Sequence, residues 1–341
     1  MTRPLRVVQY GLGPIGQASA AAVLDRAAAG AMDLVGAIDV DPQKVGRDVA
    51  ALLADRDAAT GVTVADAPEA VLAETAPDVV LHTTTSALPD VMPQLRACLA
   101  AGAHVVSSTE ELSYPYAQFP ERATALDRAA RAAGGVLVGT GVNPGYAMDT
   151  FPLSVTGVCT SVDVIRVVRV VDAAERRGPL QQKVGAGLSP EAFAQQAEAG
   201  ALGHVGLPES LRMLAEGLGW TLDAVEDTID PVRAEAAITT DHVSVPAGAV
   251  AGLHQRATGS IDGTTVLTLE LTMALGADEP RDRVVVDGRP PMDVRVDGGI
   301  FGDTATVGML VNTAGLVDRV APGLKTMLDL PTPRAHGRPR G

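Results

Sequence analysis

The chain has 341 residues, room for two domains, and its 46% hydrophobic and 20% charged content is that of an ordinary globular protein. Its 27 basic and 41 acidic residues leave a net charge of -14, which disfavours a nucleic-acid partner, because that affinity is drawn from phosphate contacts. One Trp, four Tyr and four Phe are also too few for a base-stacking platform.

The apolar runs are broken by Gly, Pro or Asp well short of a membrane span, so no membrane association is expected. The opening segment is too short and too glycine-punctuated for a signal peptide. Cys98 and Cys159 offer neither a disulfide framework nor zinc spacing; no metal is expected, and a reducing cytoplasm is the expected compartment.

Leu5–Tyr10 reads as a buried parallel strand, followed by a glycine turn and an alanine-rich helix from Pro14 to about Ala29. Leu34–Ile38 is the next strand. Asp41 and Pro42 read as the N-cap and first residue of a helix reaching about Ala54. Val62–Val64 is a weak strand, Val79–His82 a strong one, and Asp90–Ala100 a helix. His104–Val106, Glu121–Ala133 and Val136–Val138 continue as strand, helix and strand. The alternation predicts an α/β fold with a doubly wound parallel (Rossmann) sheet.

Beyond about Asn143 the pattern changes. Val162–Val171 reads as a strand, and Pro190–Ala199 and Pro208–Leu218 as helices. Val232–Thr240, Val250–Ile261, Thr264–Ala274, Arg283–Asp287 and Met292–Val296 read as strands, with turns at Asp262-Gly263 and Asp287-Gly288. They predict an α+β domain with a mostly antiparallel sheet. Asp303 to about Ala321 is helical. The expected division is a dinucleotide-binding domain over residues 1–143, a substrate and dimerisation domain over 144–300, a helix over 301–330 returning to the cofactor domain, and a flexible tail over 331–341.

Gly11-Leu12-Gly13-Pro14-Ile15-Gly16 follows a strand and opens a helix, which is the context a G-x-G-x-x-G turn needs to cradle a pyrophosphate. Gly11, Gly13, Pro14 and Ile15 are therefore expected at the cofactor. Asp39 ends the second strand, where a carboxylate accepts ribose hydroxyls and repels a 2′-phosphate. NAD(H) is favoured; Lys44 and Arg47 keep NADP(H) open. Thr83, Thr84 and Ser86 follow the strand Val79–His82 and are placed to line the cofactor channel, as is Thr109 after the next strand. Glu110 and Glu111 lie beyond that same strand end, where a proton-transferring group is needed. Position alone does not choose between that role and a pair of surface acids starting a helix.

Val8–Gly16, Ser107–Pro115 and Gly139–Gly145 resemble the 2,4-diaminopentanoate dehydrogenases and the related native NAD(P)-dependent amine dehydrogenases. Gly203–Ser210 and Gly298–Thr306 extend the likeness into the second half, and the first half is similar at greater distance to dihydrodipicolinate reductases. The resemblance implies reductive amination of a ketone or aldehyde with ammonia, and the reverse deamination. It places the catalytic carboxylate on Glu110, with Glu111 the alternative, Asn143 near the nicotinamide, and Tyr146 and His204 in the substrate pocket. Gly302–Ala305 resembles the returning helix start that closes over the cofactor in homoserine-type dehydrogenases.

A diaminopentanoate substrate requires a cation for its carboxylate. Arg166 and Arg169, three apart on a strand, point to opposite faces, so at most one serves. Other readings are an amino-acid or homoserine-type dehydrogenase, which is expected to use Lys rather than Glu after the fifth strand, and a Rossmann redox sensor without turnover. A homodimer through the second-domain sheet is expected.

Overall fold

The computed structural model describes residues 3–28, 30–54, 56–175 and 178–335. The chain divides into two compact units: Met1–Tyr146 together with Phe301–Gly341, and Ala147–Ile300.

The first unit runs β1 (Leu5–Tyr10), α1 (Pro14–Ala27), β2 (Met32–Ile38), β3 (Val64–Ala65), α2 (Pro68–Thr75), β4 (Val79–His82), α3 (Leu88–Ala100), β5 (His104–Ser107), α4 (Pro120–Ala133) and β6 (Val136–Gly139). The second runs α5 (Thr150–Thr156), β7 (Ser161–Asp172), α6 (Gly178–Lys183), α7 (Pro190–Glu198), α8 (Leu207–Gly217), β8 (Ala224–Arg233), β9 (Ile238–Thr239), β10 (Ser244–Val245), β11 (Val250–Ile261), β12 (Thr264–Ala274), β13 (Arg281–Arg289) and β14 (Met292–Asp297). The chain then returns to the first unit with α9 (Gly302–Ala314) and β15 (Gly323–Lys325).

The first unit holds a seven-stranded sheet in the order β15-β6-β5-β4-β1-β2-β3, parallel throughout. Its strands are short, β-branched and almost wholly buried, as a sheet covered on both faces requires. Val8, Tyr10, Val80, Val105 and Leu137 face the core beneath α2, α3 and α4. Neighbouring residues point the other way, where α1 and α9 pack together.

The second unit is built on a six-stranded sheet, order β14-β13-β7-β12-β11-β8, antiparallel except where β12 pairs with β7. α8 packs on it through Leu207, Leu211 and Leu214, all fully buried, each worth roughly 2 kcal/mol in removal from water. At the β11–β12 turn, Asp262 and Gly263 adopt φ of 50° and 72°, as a tight I′ hairpin demands.

Four sequence expectations need correction. No α-helix spans Pro42–Ala54: the segment turns at 42–46, pairs Val49 N–H with the Val62 carbonyl and Val64 N–H with the Arg47 carbonyl, and forms only a 3-10 turn at Val49–Leu52. Gly46, at φ 82°, takes the chain out of the helical region. The strand expected at Val232–Thr240 is β8, eight residues earlier at Ala224, with only Ile238–Thr239 separately extended. Asp287-Gly288 is not a turn but lies inside β13, at a register shift against β7. Finally, α9 stops at Ala314 rather than Ala321. Residues 331–335 lack regular structure, and 336–341, the remainder of the expected tail, lie outside the described residues.

Candidate active site

The glycine turn is built by exclusion of side chains. Gly11 sits at φ 87° and donates its N–H to the Ile38 carbonyl at 2.8 Å; a Cβ there would fall 2.5 Å from the Thr83 carbonyl oxygen. A Cβ on Gly16 would lie 1.9 Å from the Gly11 carbonyl oxygen, so α1 crosses the turn closer than any other residue permits. Gly13 differs: a Cβ there meets nothing within 4 Å. The space over Gly13 is thus open, and it lies at the N-terminus of α1, where no side chain caps the free N–H groups. That arrangement suits a pyrophosphate. Beneath it, fully buried Gln9 donates its amide to the Gly11 carbonyl and to the Thr83 hydroxyl, both at 2.9 Å.

Asp39 closes the turn at the end of β2. Oδ2 accepts the Leu12 N–H at 2.6 Å and faces Lys44 Nζ at 3.2 Å, while Oδ1 accepts the Asp41 N–H at 2.9 Å. Partial burial disfavours the ionised form, but these hydrogen bonds and the ammonium outweigh it and hold the carboxyl below its ordinary range. Arg47 turns instead to the Ala51 carbonyl.

The ends of β4 and β5 carry a buried polar network. His82 is fully buried, with Nδ1 2.9 Å from Ser107 Oγ and Nε2 2.7 Å from Gln94 Oε1. Burial pushes its imidazole down to about 4, against the opposing Gln94 hydrogen bond, so it is neutral at physiological pH. The Thr84 hydroxyl donates to the same Gln94 oxygen. The Thr83 hydroxyl donates to the Gly11 carbonyl and that of Thr109 to the Thr85 carbonyl. These three side chains therefore have partners within the protein and shape the loops.

The two glutamates then part company. Glu111 Oε2 accepts the Leu88 N–H at 2.7 Å, satisfying an otherwise orphaned donor at the start of α3, and its own N–H reaches the Ser86 carbonyl. The Glu110 carboxylate, half-buried, has no hydrogen-bond or ion-pair partner among the described residues.

After β6 the chain makes a tight loop. Gly139 lies so close to the Leu112–Ser113 peptide that a Cβ would fall 2.6 Å from it, and Gly145, at φ 128°, packs on the Gly141 N–H. The Val142 N–H donates to Thr306 Oγ1 at 3.2 Å, which ties the loop bearing buried Asn143 to the first turns of α9. Phe301 occupies the capping position of that helix.

In the second unit, Arg169 is buried and bonded to Asp282 Oδ1 at 2.6 Å and to the Ile300 carbonyl at 2.7 Å, while Arg166 is exposed. The opposite-face expectation holds, and the inward arginine already has its carboxylate. Gln255, also buried, accepts the His204 N–H at 2.7 Å and donates to the His204 carbonyl and to Asp227. Burial pushes the Asp227 carboxyl up, partly offset by the Gln255 amide.

The model of the 2,4-diaminopentanoate dehydrogenase C-terminal domain matches residues 146–338. A 2,4-diaminopentanoate dehydrogenase from Acetoanaerobium sticklandii is 34% identical over 239 residues, 68% of this chain and 67% of that one. The chain belongs to the 2,4-diaminopentanoate dehydrogenase family. An amine dehydrogenase from Streptomyces virginiae is 28% identical over 98% of both chains. The structure of an amine dehydrogenase from Mycobacterium smegmatis superposes with a TM-score of 0.85 at 26% identity, covering 97% of each chain. The protein is thus a dehydrogenase of the kind that acts on amine donors.

Within this family member, Gly11, Gly13, Pro14, Ile15, Asp39, Thr83, Thr84, Ser86, Thr109, Glu110, Asn143 and Tyr146 all belong to the first unit, and His204 to the second. Sequence reasoning missed Gln9, His82, Ser107, Gln94 and Gln255. A signal existed: Gln9, His82 and Ser107 are polar residues inside strands that otherwise read as apolar, and a buried polar side chain needs a bonded reason to be there. Among the described residues no His, Cys, Asp and Glu group is arranged to hold a metal, and no helix is long and apolar enough to cross a membrane.

Proposed function

We propose that the protein interconverts an amine with its ketone or aldehyde plus ammonia, using NAD(H) or NADP(H), with Glu110 as the catalytic carboxylate. The observation that carries this reading is the contrast at the end of β5: Glu111 caps a helix, whereas the Glu110 carboxylate has no protein partner among the described residues. Gly11 and Gly13 would admit the pyrophosphate, the N–H groups opening α1 would bind it, and Asp39 with Lys44 would hold the adenosine ribose. When bound, the dinucleotide donates or accepts the hydride.

The chain's own residues supply the rest. The Glu110 carboxylate takes a proton from ammonium, the ammonia so released adds to the carbonyl, Glu110 returns that proton as water leaves, and the carboxylate so regenerated offsets the positive charge of the iminium that accepts hydride. Asn143, Tyr146 and His204 are read as lining the cofactor and substrate positions. With Arg169 committed to Asp282, a neutral carbonyl substrate fits better than a carboxylate-bearing one. The open face of the second sheet, with half-buried Val168 and Val285 beside exposed Arg166 and Arg283, is read as a homodimer interface, and the enzyme as cytoplasmic.

The test is NADH and NADPH oxidation across small ketones, with and without ammonium, together with oxidation of 2,4-diaminopentanoate. Ammonium-dependent turnover that drops by roughly 10²-fold in Glu110→Gln, with cofactor binding retained, is expected. Full turnover in Glu110→Gln overturns the assignment of the residue, and ammonium-independent reduction overturns the reaction. A monomeric mass at micromolar concentration overturns the dimer.

A further inference from the structure

We propose that His82 is a positioning residue for Glu110, acting through the Ser107 hydroxyl and the Thr109 backbone; the inference rests on the Glu110 reading above. His82, Ser107 and Thr109 are fully buried, so the imidazole touches no substrate and acts only through its neighbours.

The direction of each bond follows from the chemistry of the donors. Gln94 Oε1 only accepts, so the imidazole nitrogen 2.7 Å from it, Nε2, carries the proton. Nδ1 is then a lone pair, and of the two acceptors within reach of the Ser107 hydroxyl, Nδ1 at 2.9 Å and Thr109 Oγ1 at 3.1 Å, the nearer and more basic imidazole nitrogen takes its proton. With its proton directed at His82, Ser107 Oγ presents lone pairs to the Thr109 N–H and accepts it at 3.1 Å. The Thr109 hydroxyl is left to donate to the Thr85 carbonyl at 2.8 Å. Residue 109 is therefore fixed by both its backbone and its side chain.

On the other side, Glu111 is fixed by its carboxylate on the Leu88 N–H and its N–H on the Ser86 carbonyl. Glu110 lies between two anchored residues and is the one whose side chain carries no anchor. Its aim is thus set by its neighbours, and misplacement by about 1 Å is enough to cost a large factor in rate. An apolar side chain would fill the end of β4 without the desolvation that a buried imidazole incurs. What the imidazole adds is the orientation of Ser107.

The experiment compares His82→Asn, His82→Gln and Ser107→Ala, each alone and with Glu110→Gln. The readouts are ammonium-dependent kcat and KM, NADH affinity by fluorescence and thermal midpoint. The Asn amide reaches the Nδ1 position and keeps the Ser107 bond; the Gln amide reaches the Nε2 position and keeps only Gln94. His82→Gln and Ser107→Ala are expected to lower kcat about tenfold with NADH affinity within about twofold, while His82→Asn recovers most of the turnover. In the Glu110→Gln background the same substitutions should cost little more, because coupled groups are not additive.

Equal kcat losses in the Asn and Gln variants, or full additivity with Glu110→Gln, overturn the positioning role alone. Full turnover in Glu110→Gln overturns the parent reading and this one with it. Ser107→Ala removes a single hydroxyl and keeps the test decisive should an imidazole variant fail to fold.

Discussion

Lys44 Nζ lies 3.2 Å from Asp39 Oδ2 and 3.3 Å from Asp41 Oδ2. The carboxylate that would discriminate against a 2′-phosphate is therefore partly neutralised by a cation on the next turn of chain. Asp39 also accepts the Leu12 N–H, so its removal would disturb the glycine turn as well as the ribose site. Lys44→Ala isolates the electrostatics. It should weaken NADPH binding about tenfold, roughly 1.4 kcal/mol, and leave NADH nearly unchanged. Titrating both cofactors against wild type and variant checks this; an unchanged NADPH to NADH ratio removes Lys44 from cofactor choice.

The two inner glycines should respond in opposite ways. Gly13→Ala adds a Cβ to open space at an ordinary φ of -66°, so the chain should fold with near-native stability and lose much of its cofactor affinity. Gly16→Ala places a Cβ 1.9 Å from a backbone oxygen and should lower the thermal midpoint before any cofactor is added. Thermal melts of the apo variants, followed by NADH titration, separate the effects. A Gly13→Ala enzyme that binds NADH normally would falsify the pyrophosphate placement.

Much of the parallel sheet was legible because each strand is a short β-branched run ending at a turn residue: Leu5–Tyr10 and Val79–His82 match β1 and β4 to the residue. Pro42 misled because its N-cap context is genuine: Asp41 does accept the Gln43 N–H, but the pairing of residues 47 and 49 with 62 and 64 competes with helix propagation. β15, a three-residue strand pairing with β6 from nearly two hundred positions away, has no local signal. At the site, the glycines were readable from spacing, whereas the Glu110–Glu111 distinction depends on where the N-terminus of α3 falls, which only tertiary structure sets.

Glu111 should matter to stability rather than to turnover. Glu111→Ala leaves the Leu88 N–H without its acceptor and should cost about 1 kcal/mol, as loss of a helix cap does; Glu111→Gln retains an acceptor and should cost less. Denaturant midpoints check this, with kcat within about threefold of wild type in the Gln variant. A large loss of kcat in Glu111→Gln would move the catalytic role to that residue.

The Arg169–Asp282 pair is buried on both sides, and between them they hold the N–H and carbonyl of Ile300. Asp282→Asn leaves a buried guanidinium without its counter-ion, for which about 3–5 kcal/mol of destabilisation is expected. Arg169→Met with Asp282→Leu removes both charges and should recover part of that loss. If Asp282→Asn is stable and instead gains affinity for carboxylate-bearing substrates, Arg169 is a substrate residue after all.

The buried His82 makes a signed prediction for stability against pH. Its imidazole is lowered from 6.5 to about 4, so between those values the unfolded chain takes up a proton that the folded chain refuses. Stability contributed by the neutral imidazole is complete above pH ~6.5, declines as pH falls, and is lost by pH ~4. The loss amounts to roughly 3 kcal/mol at ~1.4 kcal/mol per unit. His104 is lowered by burial in the same direction, so the wild-type curve alone does not isolate His82. The difference between wild type and His82→Gln does, because Gln does not titrate and the other groups cancel. Measured by urea unfolding from pH 7.5 to 4, the variant should gain on wild type by roughly 3 kcal/mol as pH falls. A difference that stays flat across this range shows that His82 binds its proton equally in both states, and the neutral, Ser107-accepting imidazole would have to be abandoned.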